Sequence, residues 1–381
     1  MKILDVVAHA ISVPIDTPFY FSQGWVDKRS SLIVEIVTDE GICGWGEALC
    51  HGQQPPQIAA TFIEQVFKPI LINRNPFDVE VLWEEMYNTT RPFGQGGSAV
   101  NAISGVDIAL WDVIGKSVNK PIHALIGGAF RTSVSPYATG FYRVANGNYP
   151  DDAISEAHGY IDAGFSAFKL KIGFGIEQDI QFVRAIRKAV GDDVRIMADA
   201  NGAYNVAAAR RIIKATEDCD VYFFEEMLPP EDWQGYKEIK NLSKAFIAAG
   251  EQLFGKKGYQ PWLSASALDI IQPDLCSSGG ITECKKIAAM AQAHNTMMVP
   301  HVWGSGIGLA ASLQFMASLP PTPLSLNPLQ PMLEFDRSSH PFRTHLIYDS
   351  ITMQDGVVQI PTQPGIGVEV NRDVIDEYRV H

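Results

Sequence analysis

The chain has 381 residues, 46% hydrophobic and 19% charged, which is more than one small core needs and sets an expectation of two packed domains. A formal net charge of −13 with no run of lysine or arginine argues against a nucleic-acid backbone or an anionic membrane surface as partner. Five scattered cysteines without a Cys-x-x-Cys pair argue against a disulfide framework or a thiolate zinc site and fit a reducing, cytoplasmic location.

The opening "MKILDVVAHAISVPID" alternates in polarity and is broken by Asp5 and His9, unlike a signal peptide, and no later stretch approaches the length of a membrane span. Alternating β-rich segments follow at "SLIVEIVTDEG" (31–41) and "GWGEAL" (44–49), joined by a turn at Asp39, Glu40 and Gly41. Helical spacing of apolar residues then appears in "QIAATFIEQVFKPIL" (57–71) and "AVNAISGVDIALWDVIGKSV" (99–118), so residues 1–130 read as one α+β domain.

From about residue 131 the rhythm changes to short apolar strands separated by amphipathic helices. Strands are expected at 133–140, 166–172, 193–201, 220–227, 245–252, 268–275, 296–303 and 331–335, at the spacing of βα units, which is the count for a parallel barrel over 131–344. "GSGIGLAA" (304–311) is glycine-rich but has no acidic ribose partner in register, and it reads as a tight strand-to-helix turn. The last segment, about 345–381, contains loop and strand and is expected to return to the first domain.

Polar residues decide the functional reading, because Lys171, Asp199, Glu225, Glu251, Asp274 and His301 all fall at or near the C-terminal ends of expected strands, the rim where barrel enzymes keep their chemistry. Asp199, Glu225 and Glu251 recur at 26-residue intervals on three consecutive strands, and three hard oxygen donors suggest Mg²⁺. A lone acidic residue after a strand is more often a helix N-cap, and Glu226 rivals Glu225; the equal spacing selects Glu225. Lys169 and Lys171 are two apart, so both leave their strand on one face, where mutual repulsion near a dication is expected to depress a lysine pKa until the neutral amine acts as a base. Asp274 and His301 lie on successive strands, as an aspartate that fixes a histidine's tautomer would, although a buried histidine is more commonly a satisfied core residue. Glu334 in "MLEFDR" completes the rim if it stays protonated and donates a hydrogen bond to a developing oxyanion.

Taken in order, "KLK", "DAN", "FFEE", "GEQ", "QPD" and "PHVW" resemble the mandelate racemase subgroup of the enolase superfamily along nearly the whole chain. The resemblance implies an α/β fold, a (β/α)7β TIM-like barrel (131–344) with an N-terminal α+β capping domain (1–130) completed by the C-terminal segment. It further implies Mg²⁺ on Asp199, Glu225 and Glu251, with Lys171 and His301 as acid/base residues on opposite faces of the substrate. Asn201 and Trp303 are expected to contact that substrate, and a homo-oligomer, dimer to octamer, is expected. One departure is "EEM" (225–227), where the superfamily usually has proline third; another is the segment "TPFYFSQGWVDKR" (17–29), the loop that closes over the substrate in this superfamily.

Within the subgroup, "YATGFYR" (137–143), "QPDLCSSGG" (272–280), "VPHVWGSGIGLAASLQFMA" (299–317) and "NPLQPMLEFDRSSHPFR" (327–343) are most similar to cycloisomerases of sugar-acid lactones. That likeness implies an isomerase opening D-galactaro-1,4-lactone or D-glucaro-1,4-lactone to a linear 3-deoxy-2-keto-hexarate. The competing readings are dehydration of an open-chain acid sugar, such as galactarate, glucarate or an aldonate, and simple racemisation. A non-catalytic acid-sugar-binding protein is a reading from another class, and the complete set of metal and base residues argues against it.

Overall fold

The structure is a computed structural model and describes residues 1–380. Its first sheet is antiparallel and four-stranded, made of Ile3–Phe21, Gly24–Thr38, Cys43–Ala48 and the short Arg143–Val144. The helix Ser98–Ser117 lies directly on it. A Cβ added at Gly46 would come within 2.0 Å of the Gly105 carbonyl oxygen, so only glycine allows strand and helix backbones to approach this closely. The expected single helix at 57–71 is instead broken into Pro56–Phe62, a π-helical turn Ile63–Phe67, and Lys68–Leu71. Pro69 has no N–H for the Gln65 carbonyl, and the wider turn, in which the Lys68 N–H reaches Ile63, absorbs the interruption.

The first two strands are much longer than their sequence pattern suggested. They pair from Ile3 opposite Thr38 out to Phe21 opposite Gly24, so residues 17–29, expected as a loop, form the tip of a β-hairpin. Phe19 and Tyr20 also pair with Val144 and Arg143. The tip docks on the barrel: Ser22 Oγ donates to the Ala200 carbonyl at 2.8 Å and Gln23 Nε2 to the Asn201 carbonyl at 2.7 Å.

Eight parallel strands make the second sheet: Pro136–Thr139, Ala167–Lys171, Arg195–Asp199, Val221–Glu225, Phe246–Ala249, Ile270–Ile271, Met297–Met298 and Leu333–Asp336. Each expected barrel strand is present, and the fold is a (β/α)7β barrel with an N-terminal α+β domain. Tyr137, Ala167, Met197, Phe223, Ala248, Ile270, Met297 and Met332 fill the interior as an apolar floor. Among the described residues no ladder joins the seventh strand to the eighth. That seam is closed by side chains, Glu334 accepting the Val302 N–H at 3.0 Å and Arg343 donating to the carbonyls of Val302 and Gly304 at 3.3 and 2.7 Å.

The C-terminal segment touches both units. Val357–Gln359 pairs with Ser133–Val134 beside the barrel, Arg379 bridges to Ile11, and the Val380 N–H reaches the Ala10 carbonyl at 2.9 Å. Arg372 ion-pairs with Glu35 of the first sheet, and His9 Nε2 is 3.0 Å from the same carboxylate. Burial alone would raise the Glu35 carboxyl, but hydrogen bonds from His9 and Arg372 outweigh it and bring the group down to about 2. The ionised form is therefore favoured by folding, with the full contribution above the usual carboxylate range near ~4.3 and a loss as pH falls toward the folded value. Glu35→Gln should lower stability by about 1–2 kcal/mol at neutral pH, the Arg372 side being half exposed, and the deficit should shrink on acidification in urea titrations of both proteins. A deficit independent of pH would exclude an ionic origin. No helix is long and apolar enough to cross a membrane among the described residues.

Candidate active site

The strand Ala167–Lys171 sends both lysines to the barrel interior, as their two-residue spacing requires. Lys169 is fully buried, with Nζ 2.5 Å from Glu225 and 2.8 Å from Glu334. Lys171 Nζ lies 2.5 Å from Asp199 and 3.1 Å from the Asn201 carboxamide oxygen. The expected depression of a lysine pKa does not occur in this arrangement. Burial pulls both groups down, but Glu225 and Glu334 around Lys169, and Asp199 beside Lys171, hold both above the ordinary lysine range as ammonium ions.

Asp199 and Glu225 end their strands as register partners, and Glu251 follows two residues after Phe246–Ala249. One oxygen from each of the three lies within 4.8 Å of the others, and all three side chains are buried. It is the only such cluster of potential metal ligands among the described residues. Burial, reinforced by Asp199, Glu334 and Glu251, outweighs Lys169 and pushes the Glu225 carboxyl up to about 7. A buried, all-oxygen, mutually repelling donor set is what a hard divalent cation relieves, so these residues fit Mg²⁺. Glu226 is not one of the three: its backbone is left-handed at φ 42° and its carboxylate accepts Gln252 Nε2 at 2.9 Å, although it is near enough for Glu251 and Asp199 to add to burial in raising its pKa.

Asp274 and His301 form a parallel β-bridge just past their strands, with His301 Nδ1 2.7 Å from Asp274 Oδ2. The other Asp274 oxygen accepts the Cys276 N–H at 2.6 Å, which fixes the carboxylate. His301 Nε2 is thereby aimed at the cluster, 3.4 Å from Glu251 and 3.9 Å from Glu334. Burial lowers the imidazole, yet Glu251, Glu334 and Asp274 prevail and push it up to about 10. The cluster is thus bracketed, with Lys171 on its Asp199 side and His301 on its Glu251 side.

Glu334 corrects a second expectation. The condition that it stay protonated and donate is not met: it accepts from Thr139 Oγ1 at 2.7 Å and pairs with Lys169, and although burial would raise it, Lys169, His301 and Lys171 hold it well below the usual carboxylate range. Trp303 is half-buried two residues after His301, its Nε1 donating to Tyr142 Oη at 3.0 Å while its ring lies 4.2 Å from the Arg29 guanidinium carbon. Asn201 has φ 47°, and its N–H bonds Asp199 Oδ1 at 2.9 Å.

Several site residues escaped the sequence reading. Gln272 donates to Glu225 Oε2 at 2.6 Å, and its place at a strand end just before "PD" was a usable signal. His51, from the first domain, stacks on His301 with ring centroids 6.5 Å apart, and burial holds it below the usual imidazole range. Phe21 and Tyr142 lie over Lys171, with ring centroids 5.9 and 5.5 Å from Nζ. His51 and Phe21 arrive from a loop and a hairpin tip with no periodicity that ties them to the barrel.

Residues 3–127 match the family described as mandelate racemase / muconate lactonizing enzyme, N-terminal domain, and residues 152–374 match the enolase C-terminal domain-like family. The chain is 41% identical over 380 residues to a D-galactarolactone cycloisomerase of Agrobacterium fabrum, covering 100% of this chain and 99% of the relative. It is 33% identical to an arabinonate dehydratase of Saccharolobus solfataricus, over 91% and 89% of the two chains. Among solved structures it resembles a 3,6-anhydro-D-galactonate cycloisomerase of Zobellia galactanivorans, with 35% identity, a TM-score of 0.89 and full coverage of both chains, 100% each. A racemase of Streptomyces coelicolor A3(2), solved with bound magnesium, gives a TM-score of 0.88 at 27% identity over 99% and 100% of the chains. With both halves matched and likeness sustained from end to end, the chain belongs to the mandelate racemase/muconate lactonizing enzyme family of the enolase superfamily and is an enzyme.

Proposed function

We propose that the enzyme is a Mg²⁺-dependent cycloisomerase that opens a sugar-diacid lactone, D-galactaro-1,4-lactone or its D-glucaro counterpart, to a linear 3-deoxy-2-keto-hexarate. One observation carries the chemistry: a buried three-carboxylate cluster with a lysine at one end and an aspartate-held histidine at the other. Full-length likeness to a D-galactarolactone cycloisomerase supports the substrate class.

Asp199, Glu225 and Glu251 would hold the ion, and Mg²⁺ bound there supplies a Lewis acid for the substrate's free carboxylate. Lys171 and His301 share the proton transfers. A proton leaves the carbon α to that carboxylate, the electron pair forms a C=C bond to the β carbon, and the bond from the β carbon to the ring oxygen breaks. That oxygen departs as part of a carboxylate, a weak base that needs no protonation to leave. Tautomerisation of the enol returns a proton to the β carbon, so the product is an isomer of the lactone. Asp274 holds Nδ1 and leaves His301 Nε2 for the substrate. Lys171 must be neutral to accept a proton, and a cation that draws charge from Asp199 weakens the pairing that keeps it an ammonium.

A second reading is dehydration of an open-chain acid sugar, where hydroxide must be protonated as it leaves. His301, held charged, suits that role, and a dehydratase is among the relatives. With purified enzyme and Mg²⁺, the lactone should yield an α-keto acid, trapped as its semicarbazone, with no loss of water by mass. The open-chain hexarate should react with kcat/KM lower by ~10²-fold or more, because its β-hydroxyl must be protonated to leave whereas the lactone's ring oxygen leaves as a carboxylate. Rapid turnover of galactarate and none of its lactone would replace the cycloisomerase by the dehydratase.

A further inference from the structure

Glu47 belongs to the first sheet, in Cys43–Ala48, and is only 1% exposed. Its side chain leaves that sheet and enters the N-terminal end of a barrel helix, Gly306–Ala317. One oxygen accepts Ser31 Oγ at 2.6 Å and the Ser305 N–H at 2.9 Å; the other accepts Ser305 Oγ at 2.6 Å, the Gly308 N–H at 2.8 Å and a share of the Ser305 N–H at 3.0 Å. Every partner is a donor, so the group binds as a carboxylate even though burial raises its pKa. The "GSGIG" turn now has a physical reason. A Cβ at Gly304 would stand 3.0 Å from Glu47 Oε1 and one at Gly308 2.7 Å from Oε2, so the two glycines make the space that the carboxylate fills.

The stretch 301–305 carries His301 and Trp303, and its backbone is clamped from three directions. Glu334 takes the Val302 N–H, Arg343 takes the Val302 and Gly304 carbonyls, and Glu47 takes the Ser305 N–H. Glu334 lies in the barrel's own last strand and Arg343 follows it; of these three backbone clamps only Glu47 comes from the first domain, which also sets Arg29 against the Trp303 ring and His51 beside His301.

We propose that Glu47 is a positioning residue through which the first domain sets where the 301–305 stretch, and with it His301 Nε2, stands relative to Glu251. This rests on the reading of His301 as an acid/base group. Glu47→Gln is the direct test, because an amide keeps a single acceptor oxygen and in either orientation turns its NH2 group toward the Ser305 N–H, which the carboxylate holds with both oxygens. Amide hydrogen exchange of peptides covering 302–309 should quicken by about tenfold or more. With saturating Mg²⁺, kcat should fall by about 10²-fold while KM stays within about threefold, the pattern of lost proton-transfer geometry rather than lost binding. If that variant does not fold, Gly304→Ala, whose added Cβ would have Glu47 carboxyl atoms as its nearest neighbours at 3.0 and 3.1 Å, displaces the carboxylate sterically and should give the same pair of effects. Unchanged exchange in the folded variants overturns the clamp. Quickened exchange with unchanged kcat overturns its link to His301. Exchange is read without substrate, so failure of the wild type to open the lactone would count against the proposed function alone.

Discussion

Glu225→Gln should abolish turnover, by on the order of 10³-fold or more, in a protein that still folds. Several kcal/mol of transition-state stabilisation depend on an ion held against the substrate carboxylate, and each ~1.4 kcal/mol is tenfold in rate. Glu225 is the middle residue of the proposed ligand set, opposite Asp199 in register, and its carboxylate also accepts from Lys169 and Gln272. Folding should survive because glutamine keeps the shape and removes a charge from a cluster in which burial and repulsion already push this carboxyl up to about 7. Calorimetric titration with Mg²⁺ should show binding to the wild type and none to the variant. The wild-type affinity should weaken as pH falls below about 7, since protons then compete for Glu225. Glu226→Gln is the control, because its carboxylate is bonded to Gln252 and is not among the three clustered oxygens. Should Glu226→Gln be the inactive one, the ligand register is off by one residue.

The parts of this molecule that were legible are those in which one residue's position settles its direction. Period-2 alternation places Lys169 and Lys171 on one side of a strand, and equal spacing over three βα units places Asp199, Glu225 and Glu251 at matching strand ends; both follow from backbone geometry. Charge states were not legible, because they depend on groups brought together from distant segments. Two adjacent lysines suggested mutual suppression, yet Lys169 meets Glu225 and Glu334, 56 and 165 residues away, and Lys171 meets Asp199, so the carboxylates win. The same encounter ionises Glu334, which in isolation reads as a protonated donor. The hairpin tip at 19–26 was hidden by its turn-like "SQG" and by aromatic residues that serve equally in a loop; its two arms pair with each other, and one of them pairs in addition with residues 143–144 across the domain boundary. Glu47 lay in a segment that reads only as a strand, since nothing local announces the helix end it reaches.

Lys171→Ala and His301→Asn should each reduce net conversion by ~10²–10⁴-fold, the usual contribution of a positioned proton transfer. Both substitutions remove the proposed transferable proton while sparing the three proposed Mg²⁺ ligands. Asparagine also keeps a hydrogen-bond donor within reach of Asp274, and saturating Mg²⁺ compensates the Asp199 charge that alanine leaves unpaired. Because the two groups approach the cluster from opposite ends, their roles separate in D2O. The variant that keeps the abstracting base should still exchange the substrate's α-proton with solvent although it forms little keto acid, and the variant that lacks it should do neither. The pattern therefore assigns abstraction to one residue and reprotonation to the other. In the double variant both ends of the cluster are silent, so α-proton exchange should vanish. Exchange that persists there at the wild-type rate would mean that some other group, with His51 beside His301 the nearest imidazole, removes the proton, and the Lys171–His301 pairing would have to be abandoned.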